Sequence, residues 1–177
     1  MQKIILNSCF GGYSYSKEAE YDYIIRKGFK KIRFVKSSFG NNRDISFAEY
    51  FDGKDDYDKC ILVQVKEAKR IFPESYVAYE DGNDWITFWD RDIDREDPVA
   101  IQLLEEKGTE YCSGPHARLV IQEYDSENWF ANISEYDGIE SLDLKPRVTR
   151  QKIRDCKNTE EVIKYLETFN LFKYDKE

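Results

Sequence analysis

Three polar turns constrain this chain most: Asp81-Gly82-Asn83-Asp84, Asp125-Ser126-Glu127-Asn128 and Tyr136-Asp137-Gly138, each between short runs rich in aromatic and β-branched residues. Turn residues between such runs are the signature of hairpins. They predict one hairpin from residues 76–79 with 85–89 and a second from 118–124 with 129–133, then a short strand over 139–144. An earlier buried strand is expected over residues 3–9, and alternation places another over 31–35.

Helix signals fall between these strands. Ser16 is a good N-cap, Glu18 and Glu20 suit the positive end of the helix dipole, and Gly28 closes the segment. Ser46-Phe47-Ala48-Glu49 has the reciprocal capping pattern of a short helix. Asp97-Pro98 opens a helix that Gly108 ends, and two closing helices are expected near 149–156 and 159–169. Residues 60–72 fit both periods, but their length and the stop at Pro73 favour a helix. Hairpins separated by helices predict an α+β fold in a single domain, a mainly antiparallel sheet with helices packed on it.

The chain has 177 residues with a net charge of -8, which disfavours general nucleic-acid binding by long-range repulsion from phosphate. No apolar run approaches the roughly 20 residues that span a bilayer, so no membrane role and a cytoplasmic location are expected. Cys9, Cys60, Cys112 and Cys156 never form a close pair and His116 is the sole histidine, so a Cys/His metal site is not expected. Reduced thiols are expected. Asp90, Asp92 and Asp94 begin like a calcium loop, but Arg95 stands at its sixth position and Ile101 at its twelfth, which rules that loop out. Nothing in the sequence asks for a cofactor.

Cys9-Phe10-Gly11-Gly12-Tyr13-Ser14-Tyr15-Ser16 lies between strand and helix, where glycines let backbone N–H groups approach an anion. The alternative is a tight strand-to-helix turn, since neither the Walker ending nor the third glycine of the dinucleotide fingerprint is present. Cys9 at that turn is a candidate nucleophile with His116 as its base, or simply a small buried residue. Arg95 offers a guanidinium fork to a ligand or pairs with a neighbouring acid. Lys145, Arg147, Arg150, Lys152 and Arg154 form either the basic edge of a pocket or a solvated helix face.

Together these segments resemble a family of small bacteriophage and prophage proteins of uncharacterised activity. The resemblance rests on Cys9-Phe10-Gly11-Gly12-Tyr13-Ser14-Tyr15-Ser16, Asp92-Ile93-Asp94-Arg95-Glu96-Asp97-Pro98, Cys112-Ser113-Gly114 before a hairpin, and Glu135-Tyr136-Asp137-Gly138-Ile139-Glu140. It covers residues 3–28 and 90–142, with Asp94 where the family has proline, and implies an insertion at 30–89 and a helical tail at 145–177. It implies a phage origin, and thus a host cytoplasm, but no mechanism.

The leading expectation is a non-catalytic binder of a small anionic ligand, a nucleotide or nucleotide-derived signal, sequestered in a phage setting as a host immune messenger. Its candidate residues are Cys9, Gly11, Gly12, Tyr13, Ser16, Arg95, Asp97, Tyr136, Asp137, Arg147 and Arg150. One alternative is a nucleotide-processing enzyme using Cys9 and His116, or the carboxylates Asp97, Asp137 and Glu140. Another is an acidic inhibitor of a host protein, and homo-oligomerisation is left open.

Overall fold

The first strand, β1 (Gln2–Asn7), forms where Ile4, Ile5 and Leu6 run consecutively into the interior. The computed structural model describes residues 1–38, 41–53, 58–72 and 84–169. After β1 the chain turns through Gly11 and Gly12, and α1 (Lys17–Arg26) begins where the Ser16 hydroxyl accepts a hydrogen bond from the Ala19 amide. Ala19, Tyr23 and Ile24 bury one face of α1, and Gly28, at φ +87°, lets the chain leave it.

Next come β2 (Ile32–Ser38), β3 (Asn41–Asp44), the single turn α2 (Phe47–Tyr50) capped by Ser46, β4 (Lys59–Gln64), α3 (Val65–Ile71) and β5 (Trp85–Phe88). They build a four-stranded sheet in the order β3-β2-β4-β5, in which β2 pairs antiparallel with β3 and β4, and β4 with β5. This corrects the helix expected over 60–72. Its first half is the central strand β4, whose Ile61, Leu62 and Val63 are all buried, and only from Val65 does the helical stripe apply. A strand covered on both faces reads as a continuous apolar run, so length could not separate the two periods. Of the first expected hairpin only the β5 side is described, because residues 73–83 lie outside the described residues.

A 3-10 turn at Asp90–Asp92 leads to α4 (Pro98–Lys107), capped by Asp97, and then to α5 (Thr109–Cys112). The remaining elements are β6 (Leu119–Tyr124), β7 (Trp129–Tyr136), β8 (Ile139–Pro146), α6 (Arg150–Asp155) and α7 (Thr159–Glu167). The second expected hairpin is also corrected, because β6 pairs with β1 while β7 pairs with β8. The Asp125 carbonyl does accept from the Trp129 amide, but that turn leaves the strand partners unspecified. The partner of β7 is set at its other end, where Asp137 and Gly138 have φ of +50° and +86°, the pair of positive values a tight type I′ hairpin demands.

The fold is thus α+β, and its contacts gather into two compact units. The larger unit, Lys3–Gln122 with Glu135–Glu140, contains the described residues of 30–89 and the main core. In it α1 packs on α4 and α5, while Tyr21 reaches Phe34 of β2 and Tyr23 reaches Phe88 of β5, so α1 also covers the four-stranded sheet. The smaller unit comprises Met1–Gln2, Glu123–Ser134 and Ser141–Glu177, and in it Phe169 packs edge-on against Trp129 and Tyr165.

Candidate functional site

Several residues expected to hold an anion are engaged with the protein itself. The Arg95 guanidinium forms a two-pronged pair with Glu140, at 2.5 and 2.7 Å, and lies 3.6 Å from the centre of the Tyr13 ring. Its partner is therefore this distant carboxylate and not a flanking Asp. Glu140 is buried and also accepts from the Asn7 amide at 2.7 Å. Asn7, fully buried, donates to the Cys9 and Gly138 carbonyls and accepts from the Arg118 amide. Every polar end of this network has a partner, as burial requires.

The glycine turn belongs to the same junction. A Cβ on Gly11 would meet the His116 carbonyl oxygen at 2.1 Å, and one on Gly138 would come within 2.5 Å of the Gly12 nitrogen. The Asp137-Gly138 turn thus covers the amides that a phosphate would need, and the helix start lies several residues further on, at Lys17. Cys9 stands well before that start, and its thiol meets the His116 carbonyl oxygen and Asn7 Oδ1, each at 3.5 Å. The Ser16 hydroxyl is used twice, accepting from Ala19 and donating to the Tyr111 carbonyl. Asp97 caps α4 and accepts from Tyr23 and Lys27. Burial raises its pKa, but the Lys27 ammonium and the Val99 amide outweigh that and hold it below the ordinary value. Tyr136 is exposed at the hairpin tip.

Arg147 and Arg150 lie in the smaller unit. Arg147 stacks on Phe130 at 4.1 Å, Lys152 donates to Glu127 and Asn128, and Lys145 approaches Asp143 at 3.8 Å. Arg150 begins the exposed face of α6, as the solvated-face alternative describes.

The larger unit holds a different candidate, a cleft of about 670 Å³. It is lined by Lys17 and Glu20 from α1, Tyr50 from α2, Cys60 from β4, Trp89 and Asp90 just after β5, and His116 in the chain after α5. Tyr15, Phe51 and Phe88 add aromatic wall. Burial raises the Glu20 carboxyl to about 8, the Asp90 charge adds to that, and Lys17 opposes it. Burial also raises Asp90, although the Tyr15 amide donates to it at 3.3 Å. The Tyr50 side chain is buried, its hydroxyl has no hydrogen-bond partner, and burial strongly raises its pKa. Perturbed groups of this kind in a cleft make it a functional-site candidate.

Sequence reasoning missed Glu20, Asp90 and Tyr50 as a group because α1, α2 and the end of β5 are brought together only by the sheet. Their one sequence signal was misassigned: Glu20 reads as a helix-dipole partner and Asp90 as part of a surface charge alternation. Among the described residues no cluster of His, Cys, Asp and Glu is arranged to hold a metal, and no helix is long and apolar enough to cross a membrane. In comparisons with known proteins, no family, curated protein or solved structure matches this chain.

Proposed function

We propose that the protein binds a small organic ligand with a flat ring in the Tyr50–Trp89 cleft and does not transform it. The observation that carries this reading is the buried Tyr50 hydroxyl, left without a partner on the lining of an aromatic-walled cleft. Leaving such a group unpaired costs about 1–3 kcal/mol, which a ligand that bonds to it recovers. The volume suits a drug-sized molecule, since ligand pockets commonly run from about 300 to 1,000 Å³. Nucleosides and nucleotides are the first class to screen, because the base supplies a flat ring for the Tyr15, Phe51, Phe88 and Trp89 walls.

Thermal melts against a panel of nucleosides, nucleotides and aromatic amines test the proposal. A ligand at a hundredfold excess over its Kd adds about 2.7 kcal/mol, a clear rise in Tm, and is recovered intact after denaturation. Trp89→Ala, at a half-exposed wall position, is expected to abolish the rise while leaving the unliganded Tm nearly unchanged. No rise with any member of the panel overturns the proposal.

A second reading is favoured by Glu20 alone. A carboxyl titrating near 8 beside another acid is suited to donate a proton, so the cleft would act on its ligand with Glu20 as general acid. Recovery of an altered ligand, with conversion lost in Glu20→Gln, selects this reading over simple binding.

A further inference from the structure

The charges around the cleft are unevenly satisfied. Both lysines that line it are already committed: Lys17 donates to the Lys59 carbonyl and lies 5.3 Å from the centre of the Tyr50 ring, and Lys59 pairs with Asp52 at 2.5 Å. The acids are not. Among the described residues neither Glu20 nor Asp90 has an ion pair, and Glu20 accepts no hydrogen bond. The Tyr50 phenol interacts electrostatically with Glu20, Cys60 and Glu18, all residues of the same lining, and its hydroxyl has no partner. One cleft thus presents two carboxyls with no ion pair among the described residues, opposed only through space by Lys17 and Arg91, and a buried hydroxyl without a partner. The missing complement to all three is a cation with several N–H groups.

We infer that the cleft recognises a ligand bearing a protonated nitrogen, an amine, amidinium or guanidinium, held against Glu20 and Asp90 and donating to the Tyr50 hydroxyl oxygen. The aromatic walls strengthen this assignment, because a cation attached to a ring meets Trp89 and Tyr15 with its flat part while its charge reaches the acids. An anionic ligand would meet Glu18, Glu20 and Asp90 with only committed lysines to offset them. The inference rests on the cleft being the binding site, and it decides the sign of the ligand's charge.

Benzamidine, benzamide and benzoate have one shape and three charges, and calorimetry on the full chain with each is the test. Benzamidine is expected to bind at millimolar concentration, benzamide about tenfold or more weakly, and benzoate not measurably. The titratable and charged groups of the cleft lining are Glu20 itself, Lys17, Glu18, Lys59, Cys60, Asp90, Tyr15, Tyr50 and His116, and of its neighbours Asp90 and Lys17 act on the Glu20 charge with opposite sign. Of these, Glu20 is the one whose loss of a proton the cation needs, so benzamidine affinity is expected to rise by about tenfold or more from pH 6 to pH 8. Glu20→Gln is expected to abolish that pH dependence. Tyr50→Phe guards against a folding artefact: deleting an unpaired buried hydroxyl should raise the unliganded Tm while weakening benzamidine several-fold. Benzoate binding as well as benzamidine, or no benzamidine binding, overturns the cationic assignment. If nucleosides or nucleotides still raise the Tm, ligand binding in the cleft survives and only the charge of the ligand changes. Silence from both sets removes both readings.

Discussion

At the scale of single residues, the buried Arg95–Glu140 pair decides more than its neighbours. Glu140 is 3% exposed at its side chain and keeps only the Asn7 amide if the guanidinium is removed. A buried charge stripped of its partner costs far more than the intact pair contributes. Arg95→Ala is therefore expected to lower stability by about 3–5 kcal/mol, read as a fall in the urea midpoint. Glu140→Gln leaves a neutral amide beside the arginine and is expected to cost less. A loss below 1 kcal/mol in Arg95→Ala, within the range of an exposed pair, would mean that the site is wet and the pair dispensable. Arg95 stood out in the sequence as a fork for a ligand or for a neighbouring acid. Glu140 was visible as a carboxylate near a turn, and Asn7 as part of a strand expected over 3–9. Their meeting depends on the β7–β8 hairpin, so no local spacing announces it.

At the scale of elements, the starts of helices were legible and strand partners were not. Ser16, Ser46 and Asp97 each accept the expected amide, because a cap is a contact over two or three residues and its geometry travels with the sequence. Strand pairing is different, since β6 would pair across the Asp125 turn as readily as across the sheet until burial chooses. Leu119 of β6 is fully buried whereas most of β7 is exposed, so β6 is drawn to β1 and β7 is left to its own hairpin. The glycine turn was legible as a turn but not in its purpose. Gly11→Ala would drive a Cβ to 2.1 Å from a backbone oxygen, with φ of +133°, whereas a Cβ on Gly12 meets nothing within 4 Å despite φ of +96°. Gly12→Ala is expected to cost about 1–3 kcal/mol for backbone strain. Gly11→Ala should cost about 1–3 kcal/mol more for the clash. Chemical denaturation of the two variants checks the order, and equal losses would show that the His116 loop yields freely.

At the scale of the whole molecule, the acids of the cleft and the capping acids oppose each other in pH dependence. Asp97 is lowered, so its contribution is present above the ordinary aspartate range and is lost as pH falls through its folded value. Glu20 has the reverse sign. Its folded value, about 8, lies above the ordinary 4.5, so its contribution is complete below 4.5 and is lost as pH rises through about 8. Asp90 is raised too and acts in the same direction. Glu20→Gln is therefore expected to melt higher than the parent above pH 8, with the gap closing as pH falls toward 4.5. Melting curves across that range check it, and a gap independent of pH would mean that Glu20 does not titrate in this window.

From the sequence alone came the α+β class, the capped helices and the turn at Asp137-Gly138. Each of these follows from contacts within a few residues or from hydrophobic period, which the chain carries wherever it goes. Tertiary structure decided that 60–64 is a central strand, that β6 leaves its neighbour for β1, and that Arg95 is matched to Glu140. It also decided that Glu20, Asp90 and Tyr50 share a cleft. Those outcomes depend on which surfaces lose water together, a property of the assembled sheet and helices and of no single segment. A carboxyl becomes an unusual acid, and a tyrosine an unpaired acceptor, only after the surrounding elements have removed the solvent.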